Sequence, residues 1–364
     1  MGKELLAKYS KPIWVQGEIY RETFAMIEEN GICRAPFARK PEEVLTVESY
    51  DGTITYEAGR DYLVEDDFLV LPEHSRIPHT TWEYFFFQSK EEAIEDQNKR
   101  EKDLGFGPVA TTDGRYLNLS AVERPEYMTR WQVAVTYRTC EPWTEAVPAS
   151  QASKLPVFQK KLKQGEDIKI VVYGDSISCG YDCSGMYGLL PGQPVWTDIL
   201  LALLQEKSKG QITMINSSVG GVDSQWAIEH AKERVTAYQP DLVILAFGMN
   251  DRCDGIEYEQ RIRKLMEVIR AEVPTAEFLL VATTLPNQYA KTPPIWFWAH
   301  QEEQEAALQR LCGEEIALAD VQQVQLALEK RKRYIDITGN WLNHPNDFLA
   351  RVQLQVIAVA LGII

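Results

Sequence analysis

The sequence predicts an α/β protein in two parts: an all-β sandwich over residues 1–155, then a three-layer doubly wound domain over residues 165–364. Three observations carry this prediction. Residues up to about 150 hold short extended runs broken by turn residues. From about 165 onward, short apolar runs alternate with amphipathic helical patterns. Between the two lies "EPWTEAVPASQASKLP", a Pro- and Ser-containing stretch that reads as a linker.

In the first part, "LTVESYDGTITYEAG" alternates apolar and polar residues around Asp51-Gly52, a hairpin signal. "TWEYFFFQ" and "RWQVAVTYRT" are rich in aromatic and β-branched residues and read as strands. The charged run "SKEEAIEDQNKREKD" between them reads as an exposed helix or insertion.

In the second part, "DIKIVVY", "ITMINSS", "DLVILAF", "EFLLVATT" and "EIALADV" are short, mainly apolar runs, as expected of parallel strands buried on both faces. The helical segments between them include "VWTDILLALLQEK", "SQWAIEHAKERVTAY" and "YEQRIRKLMEVIRAEV". The last, "PNDFLARVQLQVIAVAL", has Pro345 where a first helical turn tolerates it. Ligands of such sheets bind outside the carboxyl ends of the strands. Those ends are therefore where chemistry is sought.

Composition narrows the partners. With 53 acidic against 38 basic residues, the net charge is -15, which disfavours nucleic acid and anionic membranes. The first residues, "MGKELLAKYSKPIW", lack an apolar signal core, and no apolar run approaches the ~20 residues of a membrane span. The six cysteines lack zinc-site or disulfide-framework spacing. A cytoplasmic protein with reduced thiols, no metal and no cofactor is expected.

At the carboxyl end of the first strand, "IVVYGDSISCG" breaks abruptly at Gly174-Asp175-Ser176. A plain turn would explain it, and so would delivery of a serine hydroxyl to the sheet edge as a nucleophile. The second strand ends in "NSSVGGVDS", the third in "FGMND", and "NHPND" places His344 before the last helix. Each piece is ordinary alone. Together they bring a hydroxyl, a base and oxyanion donors to one edge.

These four blocks, in this order, resemble the SGNH or GDSL-type hydrolases over roughly the last 200 residues. The resemblance implies a flavodoxin-like fold, Ser176 as nucleophile and His344 as general base. It also implies an oxyanion hole from the N–H groups of Ser176 and Gly221 and the Asn250 amide. Asp175 and Asp251 are expected to order loops. The family usually carries an Asp three residues before its histidine, and that position is Trp341 here. A Ser-His dyad is therefore expected, with Asp347 as the alternative third member. Against Asp347 stands its place in a first helical turn, where a carboxylate caps free N–H groups. Trp296 and Trp298 of "PPIWFWAHQ", with Trp341, are candidate sugar-stacking residues or simple packing.

In layout the chain is similar to two-domain carbohydrate acetylesterases with an N-terminal β-sandwich. The expected reaction is hydrolysis of a small acyl ester, acetyl first among them, on a small molecule or oligosaccharide. Two alternatives remain at this stage: an acyltransferase using the same site, or a non-catalytic carbohydrate-binding protein.

Overall fold

The computed structural model describes residues 1–99, 107–118, 125–290 and 300–364. Its second half is a five-stranded parallel sheet: β1 (Ile168–Gly174), β2 (Ile212–Asn216), β3 (Leu242–Ala246), β4 (Glu277–Ala282) and β5 (Ile316–Asp320). The spatial order is β2-β1-β3-β4-β5. The chain thus reverses its direction of travel across the sheet at β1, which makes the carboxyl end of β1 the topological switch point.

The helices are α1 (Ser176–Cys179), α2 (Trp196–Lys207), α3 (Ser224–Arg234), α4 (Gly255–Glu272), α5 (Gln304–Leu311), α6 (Val321–Glu329), α7 (Tyr334–Ile337) and α8 (Asp347–Ala360). Alternation along each strand sorts them into layers. Val171, Tyr173, Val243 and Leu245 pack with α3, α4 and α5. Ile170, Val172, Leu242 and Ile244 pack with α2, α6 and α8 on the opposite face. Because both faces are covered, an uninterrupted apolar strand is the stable choice.

The N-terminal region is β-rich. Strands Gly17–Ala25, Gln132–Thr139 and Glu43–Ser49 form one antiparallel sheet with Gln132–Thr139 in the middle. A second, five-stranded sheet contains Ile27–Glu29, Ile32–Pro36 and Phe68–Val70. The turn at Asp51-Gly52 forms as expected: Asp51 accepts from Thr53 N–H at 3.0 Å, and Ser49 and Tyr56 pair back across it. The charged run supplies a helix, Lys90–Asn98, capped by Ser89.

Two local expectations fail. "TWEYFFFQ" starts on the last residue of a two-residue strand, Thr80–Thr81, then forms a 3-10 turn, Trp82–Tyr84, and a second two-residue strand, Phe86–Phe87. The turn lets Phe85 and Phe86 point into the same aromatic cluster, which a continuous strand would forbid. At the N-terminus, Lys3–Ser10 forms a helix whose Leu6 and Tyr9 bury into the core shared with α2 and α8.

That core is continuous between the two halves: Phe24, Phe37 and Tyr137 belong to the same cluster as Val352 and Leu354 of α8. Polar groups cross the boundary too. Asn346 donates to Thr23 Oγ1 and Gln132 Oε1 at 3.0 and 3.1 Å, and Ala25 N–H donates to Asp336 at 2.8 Å. Lys332 and Glu22, both fully buried, pair at 2.8 Å. Among the described residues, no helix is long and apolar enough to cross a membrane.

Candidate active site

Ser176 is the first residue of α1, directly beyond β1. Asp175 caps this short helix by accepting Ile177 N–H at 3.0 Å. Burial pushes the Asp175 carboxyl up to about 7. As the first helical residue, Ser176 presents an N–H that has no partner within the helix.

His344 arrives from the other end of the domain, in the loop between α7 and α8. Its Nε2 lies 2.9 Å from Ser176 Oγ. Asn340 builds this loop from within. Its Oδ1 accepts the N–H groups of Leu342, Asn343 and His344, each at 3.0 Å. Thr338 adds a second tie by donating to His344 O at 2.9 Å.

The other two blocks are tied to this centre by hydrogen bonds between loops. Val219 N–H donates to Gly174 O at 3.0 Å, joining the loop after β2 to the end of β1. Asn250 donates one amide hydrogen to Val222 O at 2.9 Å, joining the loop after β3 to the loop after β2. Asp251 accepts from Ser224 N–H at 3.2 Å and from the Ser224 hydroxyl, and Arg261 stands 3.6 Å away. Burial raises the Asp251 carboxyl to about 6 against the pull of those donors.

Gly221 has φ +80, the left-handed region, with open space where a Cβ would be. A side chain there would be strained by the backbone and would project into that space. At Gly220 a Cβ would instead meet the Tyr181 hydroxyl at 3.0 Å.

The histidine has a carboxylate partner that sequence reasoning missed. Asp182 Oδ2 makes a short contact with His344 Nδ1. Asp182 lies six positions after the nucleophile, in the loop leaving α1, and has a left-handed φ of +63. An acid close behind the serine, coupled with the missing one at position 341, was the available signal. Nothing fixed its offset.

Asp347 goes elsewhere. Its two oxygens accept Ser184 N–H at 2.8 Å and the Ser184 hydroxyl at 2.7 Å. The cap of α8 is Asn346, which accepts from Phe348 and Leu349, so Asp347 is free to reach across to the Ser184 loop. Tyr50 of the N-terminal region accepts the Asp347 N–H at 3.2 Å. Trp341 is only 4% exposed and packs against Trp82, Phe86, Tyr289 and Tyr334. Trp296 and Trp298 lie outside the described residues.

Residues 172–351 match the GDSL-like Lipase/Acylhydrolase family. Over 125 residues the chain is 28% identical to "Thioesterase 1/protease 1/lysophospholipase L1" of Escherichia coli K12, covering 34% of this chain and 54% of that protein. Over 126 residues it is 25% identical to an arylesterase of Vibrio mimicus, covering 34% and 58% respectively. The chain thus spans about half the length of the curated relatives it matches. Among solved structures it is similar to a two-domain esterase (CEX) active on acetylated mannans, with 19% identity and TM-score 0.45, covering 58% of this chain and 52% of that one. An acetylxylan esterase from Geobacillus stearothermophilus gives 18% identity and TM-score 0.44, covering 54% and 95%.

Proposed function

Residues 172–351 form a GDSL-like lipase/acylhydrolase domain, and from that premise we propose that the protein is a serine esterase. Its substrates are small acyl esters, acetyl esters of carbohydrates first among them. The observation that carries this reading is the 2.9 Å approach of His344 Nε2 to Ser176 Oγ at the switch point of the sheet.

A serine hydroxyl is a poor nucleophile at neutral pH and needs a base within hydrogen-bond reach. Ser176 Oγ attacks the ester carbonyl carbon while its proton passes to His344 Nε2. The negative charge that develops on the carbonyl oxygen is met by the N–H groups of Ser176 and Gly221 and by the Asn250 amide. Each such donor is worth roughly 3 kcal/mol in the transition state. Collapse breaks the bond to the leaving alcohol, whose oxygen takes the proton from His344. Water then repeats the sequence on the acyl-enzyme, which releases the carboxylic acid and restores Ser176.

A carbohydrate could be held by a cleft of about 700 Å³ that the histidine loop reaches through Trp341, although Ser176 and His344 are not among the residues that line it. Trp341 comes to it from the histidine loop and Tyr289 from the loop after β4, and Trp82 and Phe86 from the N-terminal region complete the aromatic wall. Glu28 and Arg333 add polar groups to its lining. Apolar walls with a few placed polar groups are the usual make-up of a small-molecule site.

The test is acetate release from p-nitrophenyl acetate and from an acetylated xylo-oligosaccharide. Ser176→Ala should lower turnover on both by roughly 10³-fold or more. Residual activity within tenfold of the parent would overturn the reading. Acetyl transfer to an added sugar in place of free acetate would assign an acyltransferase.

A further inference from the structure

We propose that Asp182 is the positioning carboxylate of a Ser176–His344–Asp182 triad, supplied by the nucleophile's own loop. The inference rests on the esterase reading above and completes its site.

The contact itself is the first argument. Asp182 Oδ2 and His344 Nδ1 form a short hydrogen bond, and both side chains are largely buried. Asn340 Nδ2 also lies 3.0 Å from Nδ1, so two tautomers compete for the geometry. If Nδ1 carries the hydrogen, it donates to Asp182, and Nε2 is left free to take the Ser176 proton. If Asn340 donates to Nδ1, Nε2 carries the hydrogen and cannot act as a base. A hydrogen bond from Nδ1–H to an ionised carboxylate is stronger than a neutral one from an amide N–H to Nδ1. Asn340 meanwhile has an alternative acceptor in Asn343 Oδ1 at 3.2 Å. The Nδ1–H tautomer follows.

The surroundings are shaped to admit this carboxylate. A Cβ on Gly339 would stand 2.6 Å from both the Cβ and the backbone oxygen of Asp182, so the histidine loop can approach only because residue 339 has no side chain. The loop carrying Asp182 is held at both ends. Tyr181 N–H donates to Ser176 O at 3.1 Å, and Ser184 is clamped by both oxygens of Asp347. Asp347 therefore acts two residues from the acid, not on the imidazole. Trp341, in the family's usual acid position, is committed to the aromatic cluster instead. The proton balance is simple: Ser176 gives its proton to Nε2, the Nδ1 proton stays on the imidazole while ionised Asp182 accepts its hydrogen bond and stabilises the imidazolium, and Nε2 passes its proton to the leaving alcohol.

Asp182→Asn should lower kcat on p-nitrophenyl acetate by roughly 10³- to 10⁴-fold with KM within about threefold, at unchanged melting temperature. Asp347→Asn should cost far less. A wild-type sample labelled with ¹⁵N-histidine gives a readout independent of any substituted acid. The His344 resonances, assigned by their loss in His344→Gln, should show Nδ1 protonated and Nε2 unprotonated at neutral pH. The opposite tautomer, or an Asp182→Asn enzyme within tenfold of wild type, overturns the proposal. If Ser176→Ala is inactive while Asp182→Asn is fully active, only the triad falls; if both are fully active, the esterase reading falls with it.

Discussion

Asn250 is the one side-chain donor proposed for the oxyanion hole, and its hydrogen bond to Val222 O fixes how its amide is turned. With one amide hydrogen committed to the neighbouring loop, the other is pre-oriented and costs little to align during reaction. Asn250→Ala should lower kcat by roughly 10²- to 10³-fold, measured as acetate release, with the melting temperature kept within a few degrees. A loss under about fivefold would mean that another group meets the oxyanion. At this scale the resemblance to the GDSL-type hydrolases singled out Ser176, Gly221 and Asn250 as candidates, and each follows the end of a parallel strand by a few residues. Asp182 was not readable, because an Asp in "YDCSG" has the composition of any turn and its partner is 162 positions away. Asp347 misled for the opposite reason. It sits close to His344 in sequence, but Asn346 caps the helix and turns Asp347 toward Ser184.

The elements of the catalytic half were legible because the central parallel strands are apolar on both faces and helices such as α4 carry an apolar stripe. The loops between them are cross-linked by buried carboxylates, and these make stability depend on pH. Asp251 is raised to about 6 in the folded protein by burial, while an unfolded Asp titrates near 3.9. Between those values the folded state holds a proton that the unfolded state has released. Stability from this group is therefore present at acidic pH and lost as pH rises toward and past 6. Asp251→Asn removes that dependence. The melting temperature of the variant relative to wild type should be more favourable at pH 7.5 than at pH 5, whatever the absolute cost of losing the Ser224 contacts. An equal difference at both pH values would show that Asp251 titrates as an ordinary carboxylate. The aromatic run at 81–88 shows the limit of element-level reading: strand propensity was correct for its residues, and tertiary packing of Phe85 and Phe86 decided otherwise.

Across the whole molecule, the β-rich region and the catalytic domain share one apolar core and several buried polar contacts. The Glu22–Lys332 pair is one of these, with both side chains fully buried. Lys332 also donates to Pro36 O at 2.8 Å and stands 3.6 Å from the centre of the Phe24 ring, and Tyr137 donates to Glu22 at 2.6 Å. Removing one partner of a fully buried pair strands the other, at about 3–5 kcal/mol. Lys332→Met should cost that much in urea unfolding, and the double variant Lys332→Met/Glu22→Leu should recover part of it. A single-variant cost below about 1 kcal/mol would show that water reaches Glu22 without disruption. None of this was visible in the sequence, because a Lys and a Glu 310 positions apart carry no pairing signal. The layout of two parts was visible; the extent of their contact was not.

The central claim is that Ser176 is the group acylated during turnover, and active-site labelling with a fluorophosphonate tests it most directly. Mass spectrometry of the intact protein should show one covalent adduct, peptide mapping should place it on Ser176, and Ser176→Ala should take up none. An adduct on another residue, or undiminished labelling of the Ser176→Ala protein, would contradict the account.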